Sequence, residues 1–156
     1  MLLVVLDSAT PLEASDKPYL DEIAQKGETG LLESAGVDLA LEAGRAGFVE
    51  APPDHVLAAL EEHPSVFTRL VADSAEAIEA LDRHFFGPLV KSLRLPDYVI
   101  AVAGGVDGGP LPLLISSDGL EPEGALEFGE REAERGRLGK LQGSELVSRL
   151  VEIAKS

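Results

Sequence analysis

The chain has 156 residues, enough for one domain with a buried core, and no apolar run approaches the ~20 residues that a membrane helix needs. Its 28 acids against 13 lysines and arginines give a formal charge of −15, a field that repels phosphate backbones and excludes nucleic acid as a natural partner. With no cysteine there is no disulfide, no thiolate nucleophile and no cysteine-type zinc site.

Residues 2 to 6, LLVVL, form a continuous apolar run suited to a strand buried on both faces, and it ends at Asp7. The segment DKPYLDEIAQKG predicts a helix with Asp16 as its cap, Pro18 in its first turn, Gly27 at its end and Leu20, Ile23 and Ala24 inward. ETGLLESAG predicts a second strand. From 36 to 50 the glycine-broken alternation of GVDLALEAGRAGFVE predicts a hairpin or a loose strand pair. PPDHVLAALEEH predicts a short helix, and SVFTRLVA another strand. Asp73 or Ser74 then caps a long helix with Ile78, Leu81, Phe85 and Leu89 at helical spacing, kinked or divided at Gly87-Pro88. DYVIAVA is a buried strand, the stretch Gly104 to Gly109 a loop, and PLLIS a short strand. EFGEREAERG and GSELVSRLVEIAKS predict two closing helices, the second with Leu146, Leu150, Val151 and Ile153 inward. Strands alternating with helices predict one α/β domain over residues 1 to 156, a mainly parallel sheet with helices on both faces.

The opening MLLVVLD is too short for a signal peptide and lacks a basic leader, so the reading is a cytoplasmic protein with no membrane partner. The absence of asparagine and the single methionine are the depletion of heat-labile residues found in thermophile proteins.

Candidate chemistry begins at Asp7, at the carboxyl end of the first strand, where open α/β folds place their ligands. A carboxylate there serves as a metal ligand, as a base or as a cap for the next turn. The loop AGGVDGGP could cradle an anion through its amides, yet it carries no base and leads into a strand rather than a helix. A connector is the better account. His55, His63 and His84 show no i, i+4 pairing that would set two ligands on one helix face.

VVLDSATPLEASDKPYLDEIAQKGETGLL resembles the opening of the archaeal-type, cofactor-independent phosphoglycerate mutases of the alkaline phosphatase superfamily. The shared features are Asp7, the turn Thr10-Pro11-Leu12-Glu13-Ala14, the helix Pro18-Tyr19-Leu20-Asp21 and the run Gly27 to Leu31. The tail is similar to the same family in order and spacing: EALDRHFFGPLVKSLRLPDYVIAVAGG, the Pro110-to-Pro112 strand, and then Phe128-x-Glu130, Gly136-x-Leu138 and Gly143-x-Glu145-Leu146. The resemblance covers roughly residues 1 to 33 and 76 to 152. The family's long inserted middle portion is missing.

The resemblance implies a minimal alkaline-phosphatase-like core. In the family, two divalent metals held by several Asp and His side chains assist transfer of a phosphoryl group through a Ser nucleophile. The cations neutralise the transferring group and lower the nucleophile's pKa. Where the family's late strand runs into an Asp-His-Ser turn, this chain has Ala103-Gly104-Gly105-Val106. Of the metal set only Asp7 is kept, with Asp73 and Asp107 as weaker candidates. Ser8 and Ser34 are weak candidates for the nucleophile.

The expectation is therefore a non-catalytic, shortened relative without a cofactor, with a binding or assembly role as a homo-oligomer or with a protein partner. The competing expectation is a reduced site around Asp7, Ser8, Asp73 and Asp107 that uses a divalent metal (Mn, Mg or Zn) on a small phosphorylated acid.

Overall fold

A computed structural model describes residues 1–8, 11–33, 37–94, 97–106, 110–117 and 122–155. The strands are β1 (Leu2–Ser8), β2 (Glu28–Glu33), β3 (Val49–Glu50), β4 (Val66–Ala72), β5 (Ile100–Val106), β6 (Leu111–Ser116) and β7 (Gly139–Gln142). The helices are α1 (Pro18–Gln25), α2 (Leu39–Arg45), α3 (Val56–Glu62), α4 (Ala75–Leu81), α5 (Gly87–Ser92), α6 (Glu130–Glu134) and α7 (Gly143–Lys155). The seven strands form one sheet in the order β3-β4-β1-β5-β6-β2-β7. Only β6 runs against its neighbours β5 and β2; the other neighbouring pairs are parallel. The expected α/β class, a mainly parallel sheet with helices on both faces, is what the chain forms.

The alternation along each strand sends its side chains to two cores. Leu2, Val4, Leu6, Val66, Leu70, Ile100 and Val102 pack on one face against Leu20 and Ile23 of α1, Val56 of α3, Ile78 of α4 and Leu89 of α5. Leu3, Val5, Phe67, Ala101, Ala103 and Leu113 pack on the other against Leu39 and Ala43 of α2 and Leu146, Val147 and Leu150 of α7. This two-sided burial explains the unbroken apolar run of β1, since a strand with helices on both sides has no solvent face.

Several expectations are corrected. Residues 36 to 50 do not form a hairpin: Asp38 accepts a hydrogen bond from Leu41 N (3.1 Å) and starts α2, and only Val49–Glu50 is extended, parallel to β4. Leu39 and Ala43, four apart, are the buried face of that helix, so a helical period underlies the apparent alternation. Asp16 does not cap α1. Lys17 occupies the N-cap without a capping side-chain bond, and the first amides are satisfied from elsewhere in the chain. The long helix widens one turn before Gly87-Pro88: Asp82–Phe86 form a π turn, and α5 resumes with Pro88 in its first turn.

The glycine-rich stretch is not a loop from Gly104 onward, because β5 continues through Val106 beside β1. A Cβ on Gly104 would stand 2.6 Å from Leu6 Cβ and 2.8 Å from Leu6 O, so glycine is needed there for the close approach of two strands. Residues 107–109 of the predicted connector lie outside the described residues. The strand β7, within RLGKLQ, has no counterpart among the predicted elements.

Candidate functional site

Parallel pairing sets the carboxyl ends of β1, β4 and β5 level, with Ser8 in register with both Ala72 and Val106. Asp7 and Ser8 therefore share one edge of the sheet with Asp73, which directly follows β4. Asp107 follows β5 in the same way by sequence, but it and Ser34 lie outside the described residues.

At this edge the Asp7 side chain faces solvent, and its partner is a cation of the chain itself. Arg69 Nε lies 3.7 Å from Asp7 Oδ2, with both side chains about half exposed. Ser8 is buried, and Asp73 is exposed. Among the described residues no three His, Asp or Glu side chains stand close enough to hold a metal ion. The Arg69 guanidinium sets positive charge beside the Asp7 carboxylate, which opposes the approach of a divalent cation there.

The three histidines do not gather at Asp7. His55 Nε2 lies 3.7 Å from Asp54, and His84 stands on the π turn beside a groove of about 260 Å³ lined by Pro53, Val56, Phe85 and Pro88.

The other residues of the resembling motifs are engaged in closing the fold. Glu130 accepts from the amides of Leu12 and Glu13 (3.1 Å each), while Glu13 accepts in return from Arg131 N and pairs with its guanidinium. Asp21 Oδ1 accepts from Phe128 N (2.9 Å), and the Phe128 ring is fully buried in the core that contains α1. Glu123 accepts from Thr29 N (2.7 Å) and Thr29 Oγ1 (2.8 Å). These carboxylates fasten the segment 122 to 131 across the residues that follow β1. Each satisfies backbone donors that would otherwise be left without partners.

The most buried charges form a second group that sequence reasoning missed. Lys17 has a relative exposure of 0%, with Nζ 3.1 Å from Asp21 Oδ1. Asp82, also buried, accepts from Tyr19 N (3.1 Å) and Leu20 N (2.8 Å), so the π turn supplies the cap that α1 lacks locally. Burial pushes the Asp82 carboxyl above its usual range; its two amide bonds and Lys17 oppose the rise, and Asp21 adds to it. One signal was present: Asp82 lies four residues after Ile78, on the inner stripe of its helix. Lys17, before a proline in a turn, gave none.

No protein-family model matches the chain. Three curated proteins named 2,3-bisphosphoglycerate-independent phosphoglycerate mutase, from Thermococcus gammatolerans, Thermococcus kodakarensis and Pyrococcus furiosus, are 36%, 35% and 36% identical to it over 88 residues. That segment is 51% of this chain and 21% of each relative, so the match spans about a fifth of their length. Among solved structures, the PH0037 protein from Pyrococcus horikoshii superposes with a TM-score of 0.78 over 99% of this chain and 96% of its own, at 17% identity. The cofactor-independent phosphoglycerate mutase from Thermoplasma acidophilum superposes with a TM-score of 0.51 at 24% identity, covering 65% of this chain and 28% of the enzyme.

Proposed function

We propose that this chain, a relative of the archaeal cofactor-independent phosphoglycerate mutases over half of its length, is non-catalytic and serves in binding or assembly. The observation that carries this reading is the Asp7–Arg69 ion pair. Phosphoryl transfer between two cations draws on several carboxylates and imidazoles gathered at one point. Here the carboxylate at the end of β1 faces an arginine, and the acids of the shared motifs (Glu13, Asp21, Asp82, Glu130) hold backbone amides. A carboxylate that accepts from amides within the fold is not free to turn toward a metal without leaving those donors unpaired.

The test is an assay of the purified chain for interconversion of phosphoglycerate isomers and for phosphatase turnover, with manganese, magnesium or zinc added. The expected result is no turnover above buffer and metal alone. Turnover that disappears in Asp7→Ala overturns the reading and establishes a reduced metal site at that edge.

A further inference from the structure

Parallel sheets are ordinarily covered on both faces, because their strands are apolar on both. In this sheet one face is left partly open. The rows of Leu3, Val5 and Phe67 lie buried with α2, Phe48 and α7, whereas the carboxyl ends of β1 and β4 on that face meet solvent. Val71 is 71% exposed, and the side chains of Asp7 and Arg69 are 58% and 50% exposed. Asp7 and Val71 are register neighbours, and Arg69 stands two residues before Val71 on the same face. Strand β3 pairs with β4 only at Val66 and Phe67, so Val71, four residues further on, has β1 as its neighbour on one side and no described strand on the other. Beside it a groove of about 340 Å³ is lined by Glu50, Ala51, Pro52 and Arg69.

We propose that this face is covered by the same face of a second copy, in a two-fold dimer in which Asp7 and Arg69 exchange partners. The inference rests on the non-catalytic reading, since it makes Asp7 an interface residue and not a metal ligand. The patch complements itself. With the two-fold axis running between Asp7 and Arg69, each acid faces the other copy's arginine, and the two Val71 side chains meet beside them. The charge of −15 on each copy opposes the approach at long range, so the dimer is a reversible one that ionic screening favours.

The experiment is sedimentation velocity over a wide protein concentration range, at an ionic strength where the Debye length is about 8 Å. The wild type is expected to shift from monomer to dimer with concentration. D7K and R69E are each expected to weaken the dimer about tenfold or more, because each sets like charges against one another across the axis. Mixed together, the two variants are expected to form a heterodimer, since Lys at position 7 of one copy then meets Glu at position 69 of the other while the native pair forms at the second contact. Val71→Ser, which changes no charge, weakens the wild-type dimer as well.

A wild type that stays monomeric at every concentration overturns the proposal. So does a dimer that both reversals leave intact, or a mixture that behaves as its separate components do. A monomer without turnover removes the dimer and leaves the non-catalytic reading standing. Turnover removes that reading whatever the association state.

Discussion

Replacing Asp82 by alanine is expected to cost about 3 kcal/mol of stability, because it removes a cap and leaves two amides at the start of α1, one of them in a buried bond, without their acceptor. The carboxylate accepts from Tyr19 N and Leu20 N at the start of α1, and the wider π turn sets it there. Without it, amides near the start of a helix lose their acceptor. Lys17 loses one of the two carboxylates in its neighbourhood. For a domain of this size such a loss lowers the thermal midpoint by about 6 to 12 °C. A fall of less than about 1 kcal/mol would show that water replaces the cap.

The pH dependence tests the same site. Because burial raises the Asp82 pKa in the fold, its contribution to stability is fully present below the unfolded-state pKa and is lost as pH rises through the folded one. The difference in stability between wild type and Asp82→Asn should therefore shift in the variant's favour as pH rises through that window. Denaturant titrations of both proteins across the acid range would measure it, and parallel curves would contradict it.

The second large effect is expected at Gly136, in the Gly-x-Leu motif. A Cβ there would fall onto the carbonyl of Thr29, main chain that is itself bonded to Leu138 N (3.0 Å) and cannot yield as a flexible side chain would. Gly136→Ala is predicted to cost about 3 kcal/mol or more, at the upper end of the range for overpacking. Gly30→Ala, whose Cβ would stand 2.5 Å from Gly139 O and 2.7 Å from Leu138 Cβ, strains the junction of β2 with β7 in the same way. Gly44, in α2, has nothing within 4 Å of the point where a Cβ would stand, so Gly44→Ala should instead stabilise by about 0.5–1 kcal/mol. Urea denaturation of the three variants decides the matter. If Gly136→Ala and Gly44→Ala behaved alike, the close approach at Thr29 would not be what the motif glycine serves.

These glycines and carboxylates share one kind of role in this chain. Gly27, Gly30 and Gly136 let backbone approach backbone, Phe128 fills the core, and Glu13, Asp21 and Glu130 satisfy amides. All are consistent with a demand to close the sheet around its first strand.

Sequence made the parallel core legible because burial on both faces leaves a direct trace: LLVVL and YVIAVA are unbroken apolar runs. It made α1 and α7 legible through their inner stripes, and Asp7 through its place at a strand end. It failed where a local pattern was ambiguous or the determinant lay far away in the chain. VDLALEAGRAGFV satisfies a two-residue alternation almost as well as a helical one, and the cap of Asp38 on Leu41 decided it. Strand β7 is four residues long and mostly exposed, so it has no apolar period to betray it. The pairing of Asp82 with α1 joins residues 62 and 63 apart, which no local spacing records.

The central claim, that the end of β1 holds a surface ion pair and not a metal ligand, is most directly tested by titrating the purified protein with manganese and following free Mn²⁺ by its paramagnetic resonance signal. The account predicts that the signal of the free ion persists at every ratio, with wild type and Asp7→Ala indistinguishable. Stoichiometric loss of that signal in wild type, abolished in Asp7→Ala, would contradict it.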